Sequence, residues 1–199
     1  MVGNLMIDTL MANREKAQEK GTYEEYGLDK NKYALLTMHR PSNVDHKETL
    51  EGFVTAFKEI SSWIPIIYPV HPRSKKNFEK YDLWEDISSC DNIILTEPVG
   101  YHDILNLQMN CTFLMTDSGG MQEESSVLGK PCITLRFNTE RPVTVDKGSS
   151  VLVGTNTKEL LEYVEQIKNG TYKHGGNVPM WDGQAAGRIV DILMPEALK

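Results

Sequence analysis

Several short clusters in this chain combine residue types suited to holding an anion or a sugar. The fullest is Thr116-Asp117-Ser118-Gly119-Gly120-Met121-Gln122-Glu123-Glu124, where serine and two glycines precede a helix-like stretch. Unpaired amides at a helix start attract phosphate, glycine lets an anion approach the backbone, and a serine hydroxyl can donate to it. The competing reading is an ordinary N-cap by Asp117 or Ser118. Glu123 fits a solvated helix position. Glu124, further in, can accept hydrogen bonds from a ribose diol or simply answer the helix dipole. His39-Arg40 and His71 can bind phosphate or sugar hydroxyls, although a lone histidine is more often a structural hydrogen-bonder. Arg136 and Arg141 bracket Glu140, giving either an Arg–Glu pair that fixes a loop or a diphosphate contact by Arg141. The basic run Arg73, Lys75, Lys76 reads as a solvated helix start.

These clusters need a scaffold that gathers them. Compact apolar runs at Tyr33–Met38, Pro65–Val70, Asn92–Thr96, Thr112–Thr116, Pro131–Leu135 and Ser150–Val153 predict strands. Amphipathic stretches at Asn4–Lys20, Glu48–Ser62, Tyr101–Asn110, Met121–Leu128, Lys158–Lys168 and Gln184–Met194 predict helices, the first closed by Gly21. Residues 22–32 read as a polar linker, His39–Lys47 as a polar loop and Gly170–Asp182 as a loop. Non-alternating strands between helices imply an α/β fold, a Rossmann-like doubly wound parallel sheet covered on both faces. In such a sheet ligands bind beyond the C-terminal strand ends, which would place five of the loops on one edge.

Composition narrows the function. The chain has 199 residues, 25% of them charged and 40% hydrophobic, with a net charge of −7. This balance argues against disorder and against nucleic acid or an anionic membrane as partners. No apolar run reaches the roughly 20 residues of a membrane span. The start, Met1-Val2-Gly3-Asn4, lacks the basic and apolar parts of a signal peptide. Cys90, Cys111 and Cys132 form no CxxC pair and read as reduced, buried thiols of a cytoplasmic protein. The histidines lack metal-ligand spacing and Ser118 lacks a GxSxG context, so neither a metal site nor a serine hydrolase is expected.

Taken together, the motifs resemble the non-hydrolysing UDP-N-acetylglucosamine 2-epimerase family. The matching pieces are Gly3-Asn4-Leu5-Met6-Ile7-Asp8, Thr37-Met38-His39-Arg40-Pro41-Ser42-Asn43, Tyr68-Pro69-Val70-His71-Pro72 and Glu97-Pro98-Val99-Gly100-Tyr101. They continue with the Thr116–Glu124 run, Leu128-Gly129-Lys130-Pro131, Leu135-Arg136, Thr139-Glu140-Arg141-Pro142, Leu152-Val153-Gly154 and Asp182-Gly183-Gln184-Ala185-Ala186-Gly187-Arg188.

The resemblance implies one half of a GT-B enzyme, the C-terminal nucleotide-binding domain. Residues 1–32 would be a crossover helix and linker, 33–182 the UDP-binding domain and 183–199 a C-terminal helix. It implies interconversion of UDP-GlcNAc and UDP-ManNAc by elimination and re-addition of UDP, without a cofactor, in the supply of cell-surface polysaccharide. His39 and Arg40 would contact the diphosphate or sugar. Ser118, Gly119 and Gly120 would hold phosphate, Glu124 the ribose and Arg141 the diphosphate. Tyr101 would lie by the uracil, and His71 at the sugar end as a possible contributor to catalysis. The acids for proton transfer would belong to an N-terminal domain not in this sequence, so this chain alone is expected to be inactive. Intact family members are expected to dimerise. One departure bears on the sugar: Ser42 stands where family members often carry an acid. The alternatives are half of a GT-B glycosyltransferase or hydrolysing epimerase, or a non-catalytic subunit completed by a separate N-terminal chain.

Overall fold

The computed structural model describes residues 1–194; the last five residues of the expected 183–199 C-terminal helix lie outside the described residues. Along the chain come α1 (Leu5–Glu19), α2 (Thr22–Glu25), β1 (Ala34–Thr37), α3 (Pro41–Val44), α4 (Lys47–Ser61), β2 (Ile66–Pro69), α5 (Pro72–Lys80) and α6 (Trp84–Ser88). They are followed by β3 (Ile93–Thr96), α7 (Tyr101–Asn110), β4 (Phe113–Thr116), α8 (Gly119–Leu128), β5 (Cys132–Thr134), α9 (Pro142–Asp146), β6 (Ser150–Leu152), α10 (Thr157–Lys168) and α11 (Ala185–Leu193). All six strands are parallel, in the order β3-β2-β1-β4-β5-β6. This is the expected Rossmann-like α/β sheet.

The apolar strands run without polar alternation because both faces are covered. Ala34, Leu36, Ile66, Tyr68, Phe113, Met115 and Ile133 pack with Leu50, Phe53 and Phe57 of α4, Phe78 of α5 and Leu160 of α10. On the other face Leu35, Ile67, Leu114 and Cys132 meet Leu107 and Met121 of α7 and α8. Helix α1 lies outside this second layer, burying Ile7, Leu10 and Ala17 while Leu5, Met6 and Met11 stay exposed.

The structure adds four short helices that periodicity could not reveal, because a single turn offers no repeat to read. They are α2, inside the expected linker, α3, inside the expected polar loop, and α6 and α9. Residues 22–32 are also less of a linker than expected, since Thr22 and Leu28 are buried and Thr22 donates to Asp103. Cys111 and Cys132 are buried as expected, but Cys90 is only half-buried.

The first residues of the chain meet the segment around α11. Both Asp8 oxygens accept from the Ala185 and Ala186 amides, capping α11, and Arg188 donates to the Val2 carbonyl and pairs with Asp182. Gly3 holds φ +104°, and a Cβ there would run into the Met180 carbonyl. Gly3→Ala is therefore expected to cost about 1–3 kcal/mol, read as a lower midpoint in urea. An unchanged midpoint would show that this junction is slack.

Candidate functional site

The strand order reverses between β1 and β4, so the loops after these strands diverge into opposite layers and leave a crevice. At that point Thr37 and Thr116 are register partners, their hydroxyls 2.7 Å apart. One residue beyond, the fully buried Asp117 turns its carboxylate toward the β1 loop rather than onto α8. One oxygen accepts from the backbone N–H of His39 (2.8 Å), the backbone N–H of Arg40 (2.7 Å) and Asn43 Nδ2 (3.0 Å). The other lies 3.0 Å from His39 Nδ1. Asn43, itself buried, also donates to the Leu135 carbonyl at 2.9 Å, and Arg40 Nε donates to the Asp117 carbonyl at 3.0 Å. Three strand-end loops are thus tied to one carboxylate.

Charge on both partners follows from this arrangement. Burial opposes ionisation of Asp117, yet the His39 ring and the Arg40 and His39 amides outweigh it and hold the carboxyl below its usual range. Asp117 in turn holds the His39 imidazole above its ordinary value, against half-burial and the nearby Arg40 and Arg73. His71 stands beside it, the two rings 5.1 Å apart between centroids. Its Nδ1 accepts the Arg73 N–H at 3.1 Å, capping α5. The two histidines therefore share a site, and His71 is a cap as well.

Helix α8 begins at this crevice. Its N-cap residue, Ser118, makes no side-chain capping bond, and Asp117 is engaged elsewhere, so the simple-cap reading fails for both residues. The Ser118 amide donates to Thr116 Oγ1, while Gly119 and Gly120 form the first helical positions. An uncapped start of this kind attracts anions.

The acidic pair on α8 divides its work differently from expectation. Glu123, expected to be solvated, is buried, because the loop carrying Arg141 and the start of α1 close over it. Its Oε1 accepts from Arg141 Nε at 2.6 Å and from Asn4 Nδ2 at 2.8 Å. Glu124 is buried too and accepts from the Tyr101 hydroxyl at 2.9 Å, which joins the β3 loop to α8. Burial raises the Glu124 pKa, the Tyr101 bond opposes it, and Glu123 adds to it.

The Arg–Glu pair that fixes the last loop is Arg136–Glu140, bidentate at 2.7 and 2.9 Å, with Arg136 buried and the Glu140 carboxyl held down at about 2. Arg141 is left exposed at the edge. Thr139 Oγ1 donates to Gln122 Oε1 at 2.8 Å, a second tether of this loop to α8. The Arg73 and Lys75 side chains pair with Asp45 and Glu97, as suits a solvated helix start.

His39, Arg40, Ser118, Gly119, Gly120, Glu124, Tyr101, Arg141 and His71 thus stand on the loops and helix starts at one sheet edge. Asp117, Asn43, Asn4, Gln122 and Thr139 organise them. Of these only Asp117 directly follows an apolar run, and for none of them does the local sequence reveal the partner. No group of three or more histidine, cysteine, aspartate or glutamate side chains suited to a metal occurs among the described residues. None of the described helices is long and apolar enough to cross a membrane.

Fold and crevice define a doubly wound Rossmann-like half of a GT-B architecture, with polar groups converging at its switch point. A family model described as UDP-N-acetylglucosamine 2-epimerase matches residues 1–194, and the chain belongs to that family. It is 40% identical to the UDP-N-acetylglucosamine 2-epimerase of Methanocaldococcus jannaschii, over 97% of this chain and 54% of that protein. It is 31% identical to the UDP-2,3-diacetamido-2,3-dideoxy-D-glucuronate 2-epimerase of Pseudomonas aeruginosa, over 96% of this chain and 51% of that one. The crystal structure of the M. jannaschii enzyme in complex with UDP-GlcNAc and UDP superimposes with a TM-score of 0.86 at 39% identity, covering 98% of this chain and 54% of that chain. The chain spans about half the length of the curated relatives it matches.

Asp117→Asn would keep an oxygen for the backbone donors but turn an amide N–H toward His39 Nδ1 and remove the charge, and is expected to cost about 2–4 kcal/mol in urea unfolding at neutral pH. Because the His39 pKa is raised in the fold, its share of stability is complete below the ordinary imidazole value and lost as pH rises through the raised one. His39→Gln should remove that slope; an identical pH profile in the variant would show that the pair is not coupled.

Proposed function

We propose that this chain is the UDP-binding half of a UDP-N-acetylhexosamine 2-epimerase, interconverting UDP-GlcNAc and UDP-ManNAc when a second domain completes the cleft. The observation that carries the reading is the uncapped Ser118-Gly119-Gly120 start of α8 facing His39 and Arg40 across the switch point. The diphosphate would sit on the Gly119 and Gly120 amides and the Ser118 hydroxyl, with His39, Arg40 and Arg141 supplying positive charge. Glu124, its orientation fixed by Tyr101, would accept from the ribose hydroxyls. Tyr101 would flank the uracil, and His71 would face the sugar beside His39.

In elimination of UDP, negative charge grows on the departing phosphate oxygen. An imidazolium held by Asp117 and the helix start both stabilise it without reorganising. Proton exchange at the neighbouring sugar carbon needs groups on both faces of the ring. The crevice described here offers one wall, so the proton-transfer acids are assigned to the domain that would face it. On this reading residues 1–32 and 183–199 flank a binding domain of residues 33–182, and α1 and α11 are joined through Asp8. The reading places the protein in the cytoplasm as a homodimer when complete, with its product feeding cell-surface polysaccharide. The Pseudomonas relative supports a wider choice of N-acetylated UDP-sugars than GlcNAc alone.

Isothermal titration with UDP tests the site. Weak binding is expected, with Ser118→Ala and Glu124→Ala each costing ~1–3 kcal/mol. Affinity should fall as pH rises through the raised His39 pKa, since only the protonated ring attracts the anion. Absence of UDP binding, or epimerisation by the isolated chain at an ordinary rate, would refute the assignment.

A further inference from the structure

Glu123 is a buried acid at this edge to which the proposed binding scheme gives no role. Its Oε1 is already taken up by two donors of the protein itself. A buried carboxylate is costly to keep unless its partners are good, and here a single oxygen receives two donors from distant parts of the chain. Arg141 Nε approaches to 2.6 Å from the loop before α9, and Asn4 Nδ2 to 2.8 Å from the residue before α1.

Each partner has a second commitment. Arg141 Nη1 donates to the Glu140 carbonyl at 3.2 Å, while the rest of the half-exposed guanidinium opens outward, with Nη2 unpartnered among the described residues. A guanidinium held at Nε presents its outer N–H groups as a fixed fork, the geometry that phosphate oxygens match. Asn4 Oδ1 accepts the Met6 amide at 2.9 Å and so caps α1. Asparagine supplies both an acceptor for the cap and a donor for Glu123; aspartate or serine in its place would keep the acceptor and lose that amide donor. On its other side the same segment is pinned by Gly3 against the Met180 carbonyl and by Arg188 on the Val2 carbonyl.

We propose that Glu123 is the positioning residue for Arg141, and that Asn4 couples it to the start of α1, so that movement of this segment is transmitted to the arginine proposed to bind diphosphate. The inference rests on the reading above for what Arg141 binds, but the linkage is a property of the free protein. A shift of Asn4 withdraws one of two donors on the same oxygen. The remaining ion pair then no longer fixes the plane of the guanidinium.

Nitrogen-resolved NMR of the free chain tests the linkage directly. One slowly exchanging arginine Nε–H signal, assigned by its loss in Arg141→Ala, should broaden or disappear in Glu123→Gln and shift in Asn4→Ser, which retains a capping hydroxyl. Titration with UDP then separates positioning from general support of α8. Glu123→Gln should weaken UDP binding roughly tenfold in the parent and less than about twofold in an Arg141→Ala background. Asn4→Ser should weaken it about two- to threefold, with its melting temperature kept. A fast-exchanging Arg141 signal, a signal indifferent to Glu123→Gln or Asn4→Ser, or an equal loss in the Arg141→Ala background overturns the proposal. If UDP does not bind at all, the functional assignment fails while the NMR comparison still decides the linkage.

Discussion

One buried negative charge organises the crevice. Asp117 stands where β1 and β4 part, and a carboxylate there would cost several kcal/mol if it were left without donors. The β1 loop supplies them: two consecutive backbone amides, the Asn43 amide and the His39 ring. Because two of these donors are main chain, the loop must follow one path, and that path sets where His39 and Arg40 emerge. Asn43 extends the constraint to the carbonyl of Leu135, at the head of the loop that ends in Arg141. The site is therefore pre-organised around an anion of its own before any external anion arrives. The imidazole is held toward its charged form by that same anion.

Helix α8 carries two further carboxylates whose environments differ although they are adjacent in sequence. Successive residues on a helix point about 100° apart. Glu124 consequently meets Tyr101 at the start of α7, after the β3 loop, and Glu123 meets Arg141 and Asn4. One helix thus links a strand-end loop on each side of the switch point and the segment that precedes α1. Its own start is left uncapped because the aspartate best placed to cap it faces the opposite way. Loss of that cap is the local cost of an open anion-binding end.

Much of this was legible in the residues. The six strands and the long helices follow from apolar runs and helical spacing, since burial on both faces or on one stripe leaves a pattern in the local sequence. The binding loops were legible as well, because glycine, serine, histidine and arginine after strand ends have few structural uses in common. Glu123 was misread as solvated because its position on the helix is polar by spacing, and what covers it comes from residues 18 positions later and 119 positions earlier. By spacing Asp117 is a candidate cap for the helix it precedes, since a local partner is the only kind that spacing can suggest. The one-turn helices escaped notice for want of a period.

The sequence by itself determined the strands, the long helices, their order and the family, because these depend on hydrophobic periodicity and on motifs read within a few residues. Tertiary structure decided which charge answers which. His39 with Asp117, Glu124 with Tyr101, and Glu123 with Arg141 and Asn4 are pairs separated by 18 to 119 positions. Their energies depend on burial and on distances of a few ångströms, quantities that exist only once the sheet has brought its strand ends to one edge.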